Sequence, residues 1–201
     1  MPNLDDGGPG RKAQTISAIV NATESIIADT EKLPTTRQIV KKSGYSFGSI
    51  YRYFISVPDI VEKIVIDRQM ANVSVIKDVI AEHSPTDRVE FFCERLLNLS
   101  FSLSQSINPN LARLVFGVVL DHSRQSKVLN IVPDQLVESV LALIEADLSG
   151  TFQKHSYLEV RMLLRTMVFM IRTPLLENSE FFGTTDHKNM VRKYMLKMLS
   201  S

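Results

Sequence analysis

The chain has 201 residues, 44% of them hydrophobic, and a formal net charge of +1. That content suffices for a buried core. So small a charge excludes bulk attraction to nucleic acid, so any such binding must rest on a local patch. The single cysteine, Cys93, excludes an internal disulfide and fits a reducing compartment.

Residues 1–10, MPNLDDGGPG, hold little to bury and are expected to form a disordered leader. Beyond them the apolar spacing is helical nearly throughout, with proline and glycine between the periodic stretches, so the expected class is all-α. The first helix is expected from about Thr15 to Ala28, with Ile19, Ala22, Ile26 and Ile27 on one face. A short connection leads to Thr35 and Thr36, either of which can cap a second, brief helix that Gly44 ends. A third runs from about Ser46 to Phe54. Ser56, Pro58 and Asp59 then announce a fourth, with Ile60, Ile64, Ala71, Val75 and Val79 along one stripe. Further helices are separated by expected breaks at His83–Pro85, Asn108–Pro109, Val132–Pro133 and Ser149–Gly150, and from Thr173 to about Thr185. No N-terminal stretch resembles a signal peptide. Arg161, Arg165 and Arg172 interrupt the most apolar segment before it reaches the roughly 18 residues a bilayer needs. No membrane partner is expected, and the cytoplasm is the expected location.

The stretch from Thr35 to Asp59, TTRQIVKKSGYSFGSIYRYFISVPD, has the parts of a helix-turn-helix. Ile39 and Val40 pin the first short helix, Gly44 lets the backbone reverse, and Ile50 with Phe54 faces back inward. From Lys32 to Val57 the charged residues are Lys32, Arg37, Lys41, Lys42 and Arg52, a local +5 with no acid among them. Hydroxyls on Thr36, Ser46, Ser49, Tyr51 and Tyr53 can reach phosphate oxygens, and Arg37 can make a two-pronged contact to guanine. On spacing alone another reading stays open, with the aromatics in a core and the lysines on a solvated face.

The stretch from about Ile19 to Ile60 resembles the DNA-binding domain of the TetR (tetracycline repressor) family. The resemblance rests on the threonine pair, Ile39-Val40, Gly44 and above all GSIYRYF, Gly48 to Phe54. It covers about a fifth of the chain. It implies that Thr36 caps the second helix and touches phosphate, with Arg37 at the groove edge. Ser46, Phe47, Gly48 and Ser49 would open the recognition helix, Tyr51 would lie on the backbone or a base, and Tyr53 on phosphate. It also implies a helix-turn-helix domain over residues 11–56, with the motif at about 35–54. Residues 57–201 would form a helical ligand-binding and dimerisation bundle. Four positions depart from the family pattern. Glu31 stands near a usual glycine, Val40 for alanine, Tyr45 for valine, and Val57 for a lysine that commonly contacts phosphate.

Residues beyond about 80 carry no motif. The stretches 156–172 and 186–200 are apolar on more than one face. The first, with Leu158, Met162, Leu163, Val168, Phe169 and Ile171, is too apolar for a surface helix. Either they are ordinary core, or two from each subunit make a four-helix dimer interface. Arg161, Arg165 and Arg172 fall within roughly 40° on a helix, which reads as a solvated stripe, or as a set that pairs with acids across a dimer or meets an anionic ligand. Phe91, Phe92, Phe101 and Phe116, with Met70 or His122 nearby, can line a cavity or fill a core; the candidate ligand-binding residues are Phe91, Phe116 and His122. His83, His122, His155 and His187 are scattered, so no metal site is expected. No cofactor and no catalytic residue is expected either: phosphate-loop and nucleophile motifs are missing, and Asp121 and His122 point about 100° apart on a helix. The expectation is therefore a non-enzymatic regulator, a homodimeric repressor released from a palindromic double-stranded DNA operator by a small-molecule ligand. The alternative is a protein-interaction module that keeps the fold without sequence-specific DNA binding.

Overall fold

A proline loses nothing at the first position of a helix, where its missing N–H would have no partner, and Pro9 opens the first helix here. The computed structural model describes residues 9–122 and 126–201. Among them it has nine α-helices: α1 (Pro9–Thr30), α2 (Thr36–Ser43), α3 (Phe47–Tyr53), α4 (Val57–Ala81), α5 (Val89–Gln105), α6 (Pro109–His122), α7 (Ile131–Glu145), α8 (Tyr157–Leu176) and α9 (Thr185–Leu199). A short 3-10 turn spans Ser126–Asn130. The fold is all-α, as the spacing predicts. The expected leader lies outside the described residues over 1–8, whereas Pro9 and Gly10 are already helical. Arg11, Lys12, Ala13 and Gln14, all good helix formers, extend α1 well before Thr15.

Contacts gather residues 9–65 and 114–122 into one compact unit, and 66–113 with 126–201 into a second. In unit one, Ile19, Ala22, Ile26 and Ile27 are buried as their spacing predicts, and Val20 and Thr23 join them. The Thr23 hydroxyl is satisfied locally, donating to the Ile19 carbonyl at 2.8 Å. Just past α1, Glu31 donates its N–H to the Ile27 carbonyl and takes φ +51°, the left-handed conformation that a glycine adopts without strain. Helix α4 starts as its sequence announces. The Ser56 N–H donates to Asp59 Oδ2 at 2.7 Å, and the Asp59 N–H to Ser56 Oγ at 3.4 Å. Its stripe needs correction. Ile60 and Ile64 are buried, but Ala71 and Val75 are exposed and Val79 only half-buried. Val73, Ile76 and Ile80 are buried in their place, because that stretch of α4 belongs to unit two and packs into a different core.

The core of unit two is built on Phe92, Leu96 and Phe101 of α5, Leu136 and Val140 of α7, Leu164 of α8 and Met195 of α9. Two prolines sit inside helices where breaks were expected. Pro133 is third in α7, within the turn whose N–H groups have no helical acceptor, so the interruption falls earlier, around the 3-10 turn. Pro174 lies in the last turn of α8, which continues to Leu176. A proline there leaves the carbonyl four residues back, that of Met170, without its helical donor. His187 of α9 supplies one. Its Nδ1 accepts the Gly183 N–H at 3.1 Å, so the ring hydrogen is on Nε2, which donates to the Met170 carbonyl at 3.0 Å. The ring is fully buried, edge-on to Phe101 and beside Phe181.

The arginines of α8 also differ from expectation. Arg161 and Arg165 both grip Asp134 of α7 with two prongs, at 3.1 and 3.1 Å and at 2.9 and 2.7 Å. Hydrogen bonds from Arg161 and then Arg165 hold the Asp134 carboxyl well below the usual carboxylate range. Arg172 donates to the Leu129 carbonyl at 2.8 Å, and burial pushes its guanidinium down to about 10. The stripe is therefore a set of inter-helix ties, not a solvated face. Cys93 is buried, and that burial pushes its thiol up to about 12, so it is an unreactive core residue.

Candidate nucleic-acid interface

The two short helices of unit one are set by their caps. Thr35 is the cap of α2: its hydroxyl accepts the Gln38 N–H at 3.3 Å, and Gln38 Oε1 accepts the Thr35 N–H at 2.8 Å. The capping role expected of Thr36 thus falls one residue earlier, because the glutamine that completes the box stands three residues after Thr35. Lys41 and Lys42 sit in the last turn of α2, where a cation is favourable. Gly44 then takes φ +76° and donates its N–H to the Val40 carbonyl at 3.0 Å. Ser46 caps α3 by accepting the Ser49 N–H at 3.1 Å. Ile39 and Ile50 are fully buried and Phe54 nearly so, while Val40 is half-buried.

That packing leaves a defined outer face. Arg37, Lys41, Lys42, Ser46, Phe47, Gly48, Tyr51 and Arg52 are exposed, and Thr36, Ser49 and Tyr53 are half-buried. Phe47 and Tyr51 stand one turn apart on α3, 45% and 55% exposed, with Gly48 beside Phe47 in sequence. Two aromatics left in water on so short a helix are unusual for a surface that contacts nothing. The Thr36 hydroxyl lies 3.4 Å from the Tyr51 hydroxyl, joining the α2 start to this row. The Ser46 and Ser49 hydroxyls are 3.0 Å apart. A Cβ added at Gly48 would meet only Ser46 Oγ, at 3.8 Å, so the fold itself makes no demand for glycine there. One acid approaches the basic face from outside the acid-free stretch: Asp29 lies 3.7 Å from Lys42.

No protein-family model matches the chain, and no curated protein matches it. Solved structures do. A protein of Mesorhizobium loti MAFF303099 described as a TetR-family transcriptional regulator superposes with TM-score 0.66 at 15% identity, covering 95% of this chain and 99% of that one. A TetR-family regulator of Marinobacter aquaeolei VT8 gives 0.59 at 14%, covering 96% and 98%. Salmonella enterica GusR gives 0.60 at 14%, covering 98% and 99%. This chain has the TetR-family fold.

Within the TetR-family fold, the sequence departures acquire physical content. Glu31 holds a glycine-like conformation without being glycine. Tyr45 is half-buried between Gly44 and the α3 cap, its N–H donating to Ser43 Oγ at 3.3 Å. Val57, half-buried, is the first residue of α4, so no cation stands at that helix start. Of the three candidate ligand residues, Phe91 and Phe116 belong to different units. Phe91 is exposed in unit two, stacked 6.4 Å from the His83 ring with Arg95 over its face. Phe116 is half-buried in unit one, and the His122 side chain lies outside the described residues. A surface groove of about 400 Å³ lies in unit two, and neither Phe91 nor Phe116 lines it. Ala142 and Ala146 of its lining stand one turn apart at the end of α7, while Ala81 comes from the end of α4.

Proposed function

We propose that this chain is a DNA-binding transcriptional regulator, acting as a homodimer whose α3 helices enter successive major grooves of a palindromic operator. Such half-sites lie about 34 Å apart. The observation that carries this reading is the outer face of α2 and α3, where Arg37, Gly48, Tyr51 and the exposed Phe47 surround a cap-defined helix start with no acid in the stretch. Thr36, Ser46, Ser49 and Tyr53 complete the candidate contacts to phosphate and base edges. The fold it shares with TetR-family regulators supports the same reading. Dimer formation is supported by apolar side chains left exposed on the two terminal helices: Leu158, Met162 and Phe169 on α8, Met190 and Tyr194 on α9. A second copy of the chain is the natural cover for them. In the repressor form of this reading, a small molecule binding unit two favours a state with the wrong helix spacing. Its effect is bounded by its differential affinity for the two states.

The test is selection of genomic fragments by the purified protein at physiological salt. Recovery of a palindrome whose binding weakens steeply with salt, and is lost in Arg37→Ala and Tyr51→Ala while the dimer persists, supports the regulator. Enrichment no better than random DNA, with or without cell extract, favours the interaction module, to which the missing cation at Val57 already points.

A further inference from the structure

The side chains where α3 begins differ in what they can tell apart. Ser46 Oγ accepts the Ser49 N–H at 3.1 Å and lies 3.0 Å from Ser49 Oγ, so the two hydroxyls bond each other. A hydroxyl both donates and accepts, fits any base edge, and so distinguishes base pairs weakly. Gly48 has no side chain, and its bare backbone lets another surface come close. Phe47 is what remains in that turn. It is 45% exposed and carries no hydrogen-bonding group in its side chain. Ile50 and Phe54, both buried, already hold α3 to the core.

The major groove presents mostly polar groups to such a ring. Guanine N7 and O6, adenine N7 and thymine O4 accept hydrogen bonds, and the cytosine and adenine amino groups donate them. Only the thymine 5-methyl group is apolar. A phenyl ring laid over a donor or acceptor shuts out its water and returns no hydrogen bond, which leaves that group unpaired. Laid over a methyl group, it removes apolar surface on both sides from water. The ring thus favours thymine twice, by what it gains there and by what it forfeits at every other edge.

We propose that Phe47 is a specificity residue of the interface, reading the 5-methyl group of one thymine in each operator half-site. The inference rests on the DNA-binding function proposed above and adds to it a base that the operator contains. The five cations between Lys32 and Val57, with no acid among them, draw phosphate to the same short motif.

The experiment selects sites for the full chain from a random double-stranded library. The selected palindrome is then rebuilt with deoxyuridine for thymidine, one symmetric pair of positions at a time. Uracil keeps every hydrogen-bonding atom of thymine and lacks only the methyl group. At one pair the parent should lose about fourfold in affinity per half-site, the equivalent of roughly 0.8 kcal/mol for each buried methyl group. Phe47→Ala should bind the thymine and uracil forms alike at that pair, with its helical signal unchanged in circular dichroism. Phe47→Leu, still apolar, should retain part of the preference. Equal affinity of the parent for both forms at every position overturns the proposal and leaves DNA binding in place. A uracil effect undiminished in Phe47→Ala also overturns it, since another side chain then reads the methyl group. Should Phe47→Ala not fold, an undiminished effect in Phe47→Leu overturns it equally. A library from which no sequence is enriched removes the DNA-binding function and this inference with it.

Discussion

Gly48 and Glu31 carry opposite messages about backbone freedom. Gly48 sits in a helix, with room for a methyl group, although glycine there weakens the helix. Gly48→Ala should therefore raise thermal stability, by about 0.5–1 kcal/mol, while lowering affinity for the selected operator. Calorimetry and a binding titration on the same variant read both signs; equal affinity would remove Gly48 from the interface. Glu31 has the reverse problem, a left-handed φ of +51° without glycine. Glu31→Gly should stabilise the fold by roughly 0.5–1 kcal/mol, less than the full left-handed penalty because glycine also loosens the unfolded chain. His83 adds a dependence on pH. Burial lowers its pKa below 6.5, Asp87 and Asp147 oppose that, and Arg95 adds to it. The unfolded chain thus binds the proton first, so the stability that depends on a neutral His83 is present above about pH 6.5 and falls as pH drops toward the folded value. Denaturant melts of the parent should weaken over that window, and those of His83→Phe should weaken less.

At the scale of elements, much was legible because it is local. The α2 and α3 ends follow from Thr35, Gly44 and Ser46, each acting within a few residues, and the inward faces of α1 and α3 follow from spacing. What escaped depends on residues far apart in the chain. Asp134 lies 27 and 31 positions from Arg161 and Arg165, so nothing in the α8 pattern revealed its partner. Pro174 looked like a helix end because the donor that stands in for its N–H comes from His187. The surface groove was illegible for the same reason, since its lining comes from separate helices. The α8–α9 tie yields a cycle of variants. His187→Ala removes partners from the Met170 carbonyl and the Gly183 N–H, and should cost about 2–4 kcal/mol. Pro174→Ala restores a helical donor to Met170, so the His187→Ala cost should be visibly smaller in that background. Equal costs in both backgrounds would mean that the imidazole does not stand in for the missing N–H.

At the scale of the whole molecule, a nearly neutral chain carries an acid-free basic stretch over Lys32–Val57 and leaves apolar side chains on its last two helices. Phe169 is 66% exposed, so a charge there should leave the folded protomer intact. Phe169→Glu is expected to convert a dimer into a monomer in sedimentation, with unchanged helical signal in circular dichroism. Operator affinity should fall with it, since two half-sites held together bind far better than one. A variant that stays dimeric would place the self-contact on another surface.

The meeting of Pro174 and His187 also constrains how such a sequence can have arisen. Even in the last turn of a helix a proline orphans one carbonyl, which is costly when no other donor reaches it. A histidine at 187 costs little without the proline, because Gly183 still bonds its ring, whereas the proline without the histidine leaves the Met170 carbonyl unpaired. Of the two orders of substitution, histidine before proline therefore passes through the less costly intermediate. With the proline in place, a substitution at 187 costs more than it does beside a residue that keeps its own N–H, so the two positions are expected to vary together.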